Sequence, residues 1–189
     1  WRRGVVLVFL GYFLALCGLI LLAVALFIWK QGDADFYFDA SKRSKLVLES
    51  VAADTATFSF RLPFRNRGSQ QGTVVDVFAR PWLPHEQYSA AELTTKVTAA
   101  SSPRDDGYWE AALFPSDKGD NDVALVYLRF DAHGGDIQAA MDHMVDLPLN
   151  IVYQVIGRTD WYMAKVLLEV PLEEFQQAMQ TAGTQKVEA

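Results

Sequence analysis

Cysteine is all but missing from this chain of 189 residues: Cys17 is the single one. One thiol cannot close an internal disulfide, and it lies inside an apolar run, so a cystine framework and a thiolate metal cluster are both excluded. Histidine is scarce as well, with His85, His133 and His143 the whole supply. The net charge is −6, with a sequence pI of about 5.0. Nucleic acid is therefore not an expected partner, because holding phosphates takes clustered basic residues. A phosphate-cradling loop is missing too, since GSQQG (68–72) lacks the lysine and the following helix that such a loop needs. No nucleophile elbow or zinc-protease pattern occurs, and nothing sets a base beside a nucleophile. The chain reads as a non-enzyme with no cofactor and no small-molecule substrate.

The tightest polar cluster is DAHGGD (131–136), followed by Asp142 and His143. Asp131, His133, Asp136 and His143 are metal-ligating residue types, but their spacing matches no established ligand set. A Gly-Gly turn with Asp136 capping the next helix explains the same letters, and no metal is expected. The acidic pairs Asp105/Asp106 and Glu173/Glu174 read as a solvated turn and a helix start that complements its dipole.

Apolar residues are abundant, at 51% with 13% aromatic, which is too rich for a disordered chain. Between Gly4 and Trp29 no residue is charged. At about 1.5 Å of rise per residue, a helix of that length exceeds the ~30 Å hydrocarbon core of a bilayer. A cleaved signal peptide has a shorter core, roughly 7–15 residues. A lipoprotein signal would need a small residue before Cys17, where Leu16 stands. Residues 1–32 are therefore read as a retained signal-anchor, a single-pass transmembrane helix with Trp29 and Lys30 at its interfacial end. Arg2 and Arg3 favour a cytoplasmic N-terminus under the positive-inside rule, although Lys42, Arg43 and Lys45 lie within reach on the other side. The following domain is then extracytoplasmic, periplasmic or extracellular.

Within that helix Gly4, Gly11, Gly18 and Ala25 recur every seven residues, and Ala15 sits four after Gly11. Seven residues is close to two helical turns, so these small side chains share one stripe. Small residues let helix backbones approach closely in lipid, where no hydrophobic force drives association. The stripe is read as a packing face for another transmembrane subunit; chance placement of common membrane-helix residues is the competing reading.

Beyond QGDAD (31–35) the chain reads mainly as strand. TFSFRLPF (57–64) alternates Phe58, Phe60, Leu62 and Phe64 with Thr57, Ser59, Arg61 and Pro63, the period of a half-buried strand. Pro63 cannot donate to a ladder, which predicts an edge strand or a bulge there. Further strands are expected at 45–52, 73–81, 93–99, 108–114, 123–130, 148–157 and 161–170, the last two joined as a hairpin. Helices are expected at 137–144, capped by Asp136, and after Pro171. Residues 33–180 then form a mainly β extramembrane domain, an immunoglobulin-like antiparallel β-sandwich with one or two short helices. Residues 181–189 are left as a flexible C-terminal tail. The strand–NRG–turn–strand run at 57–81 is similar to that of extracytoplasmic immunoglobulin-like and late-embryogenesis-abundant-type modules. That resemblance implies a sandwich, and a fold alone does not fix function.

PWLP (81–84) holds Trp82 and Leu83 between two prolines, so an exposed aromatic there would be immobilised at low entropic cost. Trp82 could equally fold back over the sandwich edge, and Tyr108–Trp109 poses the same pair of readings. Trp82, Leu83, Tyr108 and Trp109 are the expected partner-binding residues. The resulting expectation is a non-catalytic single-pass subunit of a membrane protein complex, touching the bilayer, other transmembrane subunits and an extracytoplasmic partner. The alternative is a membrane-tethered carrier or sensor that holds a lipid, ligand or metal in or beside the sandwich, which a cavity lined by Phe58, Phe60 or Tyr153 would favour.

Overall fold

From Thr55 to Asn66 every second side chain is buried: Ala56, Phe58, Phe60, Leu62, Phe64 and Asn66. A segment with one such face must pair into a sheet and cover that face with a second layer. In the computed structural model, which describes residues 2–83, 88–116 and 122–187, the strands do so as two antiparallel sheets. In chain order they are β1 (Phe36–Phe38), β2 (Val47–Val51), β3 (Thr55–Asn66), β4 (Gly72–Pro81), β5 (Ala91–Ala99), β6 (Ala112–Phe114), β7 (Asp122–Ala132), β8 (Leu147–Ile156) and β9 (Trp161–Val170). The first sheet runs β1–β3–β7–β5, with β2 also on β3; the second runs β6–β4–β8–β9.

One core lies between the sheets. Phe38 stacks on Phe64 with centroids 4.8 Å apart and meets Tyr153 of the opposite sheet at 4.6 Å. The Tyr153 hydroxyl donates to the Phe36 carbonyl at 3.0 Å. Burial pushes that phenol's pKa up to about 12, so it stays a donor at any working pH.

Among the described residues three α-helices and a 3-10 turn (Ala40–Lys42) accompany the sheets. α1 (Arg2–Lys30) is long and apolar enough to cross a membrane, and its side chains from Gly4 on are almost all exposed. α2 (Ile137–Asp142) starts where expected, the Asp136 carboxylate accepting from the Gln138 and Ala139 amides at 3.0 and 3.1 Å. α3 (Leu172–Val187) continues well past the expected helix end near 180. Its Phe175 is driven into the core, while its Glu174 takes a two-pronged bond from Arg43 at 2.9 and 2.6 Å.

Several expectations are corrected. β3 is a central strand, not an edge, and Pro63 is accommodated by a gap beside it. β1 ends opposite Phe64 and β2 begins opposite Ser59, so the side to which Pro63 would donate carries no ladder. Its carbonyl points the same way and accepts from the Asp39 amide at 2.9 Å. The strand expected at 45–52 is preceded by the short β1, and the one expected at 108–114 shrinks to Ala112–Phe114.

Candidate functional site

The polar exit Gln31–Asp35 looks like a loose tether in sequence, yet it is seated on the domain. Gly32 adopts a φ of +66°, which turns the chain off the end of α1 at little cost only because there is no Cβ. Asp33 then lands on the turn between β8 and β9. Its carboxylate accepts from the Ala34, Arg158 and Thr159 amides at 2.8, 2.6 and 3.1 Å, and from the Thr159 hydroxyl. The carboxyl is pulled down to about 2, led by the Thr159 hydroxyl and the backbone donors against the opposing effect of burial.

A second turn grips the same segment. The Ser69 amide donates to the Asp33 carbonyl at 3.1 Å and the Arg67 amide to the Asp35 carbonyl at 2.7 Å. Asn66, fully buried, organises this turn: its Oδ1 accepts from the Asp35 and Gly68 amides, both at 3.0 Å, and its Nδ2 donates to the Gln70 carbonyl at 2.7 Å. A Cβ on Gly68 would stand 2.2 Å from the Asp33 carbonyl oxygen, so only glycine permits this approach. Arg158 closes the arrangement, donating from Nη2 to the Ile28 carbonyl at 3.2 Å and from Nη1 to the Gln31 side chain. A cation on the last carbonyls of a helix meets both their unpaired acceptors and the negative end of the dipole. Helix and domain are therefore joined without slack, and the turns at 67–71 and 157–160 define a junction end of the domain.

The Asp33 clamp has a pH signature. A carboxyl with a folded pKa near 2 and an ordinary unfolded value stabilises the folded state fully above about pH 4, and that contribution is lost as pH falls toward 2. Asp33→Asn should lower the thermal midpoint of the full chain in detergent micelles at pH 7, with the gap to wild type closing between pH 4 and pH 2. A gap that stays constant down to pH 2 would refute the clamp.

The expected site residues are not brought together. Gly4, Gly11, Ala15, Gly18 and Ala25 all lie on the open surface of α1, and a Cβ added at Gly4, Gly11 or Gly18 meets nothing within 4 Å. Trp82 is 57% exposed and Tyr108 73%, whereas Leu83 packs partly against the core. Trp109 departs from its expectation: it is 6% exposed, lies edge-on to Phe64 at 5.9 Å and donates from its indole to the Val74 carbonyl at 3.2 Å. It is a core residue and presents no surface to a partner. Of the metal-ligating types, Asp136 caps α2, Asp131 pairs with Arg129 at 2.9 Å and His133 bonds the Ser89 carbonyl. Among the described residues no metal-binding group forms. His85 lies outside the described residues.

The surface that sequence reasoning missed is the outer face of the β6–β4–β8–β9 sheet. Phe78, Leu113, Ile156, Trp161, Met163 and Leu167 are all exposed there, interspersed with the exposed Arg80, Lys165 and Glu169. The outer face of the other sheet instead carries Thr57, Thr94, Lys96 and Arg129. WYMAKVLLEV (161–170) held the signal: it is apolar at both odd and even positions, more than a strand with one buried face requires.

No family model matches this chain, and no curated protein matches it. Among solved structures it is similar to a Bordetella pertussis protein described as ApaA, at 7% identity over 73% of this chain and 94% of that one, with a TM-score of 0.35. It is also similar to two yeast GAE domains. That of GGA1 matches at 6% identity over 67% of this chain and 99% of that one, TM-score 0.32. That of Saccharomyces cerevisiae GGA2p matches at 6% over 73% and 97%, TM-score 0.34. Similarity at this level leaves the architecture to be argued from the chain's own strand pairing.

Proposed function

We propose that this protein is a non-catalytic, single-pass membrane subunit that holds an immunoglobulin-like sandwich on the extracytoplasmic side and docks it on a protein partner. The carrying observation is the set of six large apolar side chains exposed among charged ones on the outer face of the β6–β4–β8–β9 sheet, fixed to α1 by the Asp33 and Asn66 contacts. Apolar surface gathered on one face of a domain marks an interaction site. A rigid junction adds to this, because it orients that face relative to the helix and spares the partner the entropy of ordering a tether.

The strand orders support the immunoglobulin-like assignment. β1/β2–β3–β7–β5 corresponds to the A–B–E–D sheet and β9–β8–β4 to G–F–C, with β6 added beside β4. The open stripe at Gly4, Gly11, Ala15, Gly18 and Ala25 supports a second contact inside the bilayer, with another transmembrane subunit.

Cross-linking in native membranes followed by mass spectrometry tests this reading. Phe78→Lys combined with Leu167→Lys should abolish cross-links to the partner while leaving the thermal midpoint of the domain unchanged. Gly11→Leu with Gly18→Leu should release the protein from its complex in mild detergent. Unaltered cross-linking and co-purification in both variants would overturn the proposal.

A further inference from the structure

One row of side chains crosses the outer face of the second sheet at its junction end. Leu113 stands opposite Thr73, Thr73 opposite Ile156, and Ile156 opposite Trp161. Leu113 is 60% exposed, Ile156 48% and Trp161 60%. Ile156 and Trp161 directly flank the turn whose Arg158 is bonded to the last turn of α1. Trp29, the most exposed tryptophan described at 84%, ends the apolar run of that helix.

The chemistry of this end is graded. An open groove of about 560 Å³ lies between helix and turn, lined by Ala25, Ile28, Trp29 and Gly32 on one side and Arg158 and Thr159 on the other, with Asp33, its carboxylate engaged by the turn's own donors, between them. Arg158 spends its side-chain bonds on neutral acceptors, the Ile28 carbonyl and the Gln31 amide oxygen, and has no ion-pair partner among the described residues. Lys30 sits beside it in sequence. Tryptophan rings over aliphatic side chains, with cations just beyond them, are the composition that seats protein at the boundary between acyl chains and anionic headgroups.

We propose that the junction end of the domain is itself a lipid-binding surface. Leu113, Ile156 and Trp161 enter the headgroup–acyl boundary beside Trp29, and Arg158 with Lys30 holds the phosphates of anionic lipids. This rests on the reading of α1 as a membrane-spanning helix. It divides the exposed face between two occupants: lipid takes the junction row and the protein partner takes the rows beyond. The dimensions allow that division. A bilayer interface is roughly 5–8 Å deep on each side, whereas at ~3.3 Å per residue Leu167 lies about 20 Å along β9 from Trp161.

Site-directed spin labelling of the full chain in nanodiscs tests this. Single cysteines are introduced in a Cys17→Ser background as Leu113→Cys, Trp161→Cys, Leu167→Cys and, within α1, Leu21→Cys. The ratio of oxygen to nickel-chelate accessibility should be highest at 21, several-fold above the aqueous value at 113 and 161, and aqueous at 167. The ratio at 161 should rise further in phosphatidylglycerol relative to phosphatidylcholine, and Arg158→Gln should remove that difference. An aqueous ratio at 161 with an oxygen-rich ratio at 21 overturns the lipid surface alone. A label at 161 shielded from both reagents means a protein sits there, and overturns it too. A ratio at 161 that is indifferent to lipid charge overturns the headgroup contact. An aqueous ratio at 21 instead overturns the membrane-spanning reading beneath it.

Discussion

Truncating Phe58 to alanine should destabilise the domain by about 3–5 kcal/mol, the cost of removing a buried aromatic and leaving a cavity. Phe58 is 0% exposed at the centre of β3, paired with Leu48 on one side and Leu128 on the other. Its ring meets Phe130 at 5.9 Å and Phe175 at 5.2 Å, both nearly perpendicular, and those two meet each other at 5.7 Å. Phe175 comes from α3, so this trio ties the last helix to the first sheet. Three rings at right angles leave no simple way for neighbours to collapse into the gap, which places the expected loss toward the upper part of that range. Thermal and chemical denaturation of the full chain in micelles, followed by near-ultraviolet circular dichroism, reads the loss. Phe175→Ala in combination adds a further check. Contacting aromatics couple by about 0.5–1.5 kcal/mol, so the double variant should lose less than the sum of the singles by that amount. Strict additivity would mean the rings do not touch.

Asn66→Ala should be the most damaging polar substitution, at about 2–4 kcal/mol given 1–3 kcal/mol for each buried group left unsatisfied. The change strips the Asp35 and Gly68 amides of their acceptor and the Gln70 carbonyl of its donor. Because these groups hold Asp35 and the 67–71 turn together, the damage concentrates at the helix–domain junction. Proteolysis between Gln31 and Asp35 should accelerate in Asn66→Ala before the domain as a whole unfolds. Asn66→Asp keeps the acceptor, loses the donor and adds charge near Asp33 and Asp35, so it should fall between wild type and alanine. An alanine variant as protease-resistant as wild type would show that the junction does not depend on this side chain.

Much of the fold was legible because its cues are local. The Phe58–Phe64 alternation, the apolar length of α1 and the Asp136 cap each depend on residues within a few positions of one another, where period and side-chain chemistry suffice. Pro63 shows where this stops. A missing donor excludes a ladder on one side of the residue, but sequence cannot say whether the strand is at an edge or merely beside a gap between β1 and β2. Trp109 shows the same limit for a site residue. It is adjacent to Tyr108 and shares its character, yet one indole finds the Val74 carbonyl and the core while its neighbour faces outward.

Composition and periodicity alone determined that this chain carries one apolar helix and a β domain without disulfides, because hydrophobicity and strand period are written residue by residue. Only the tertiary structure decided that the polar exit is a clamp and that one sheet's outer face gathers six large exposed apolar side chains. Asp33 meets the Arg158 amide across 125 positions, and Leu113, Ile156 and Trp161 fall in one row only when four strands pair in register. A bond or a surface made from distant parts of the chain has no local signature, so folding is what brings it into being.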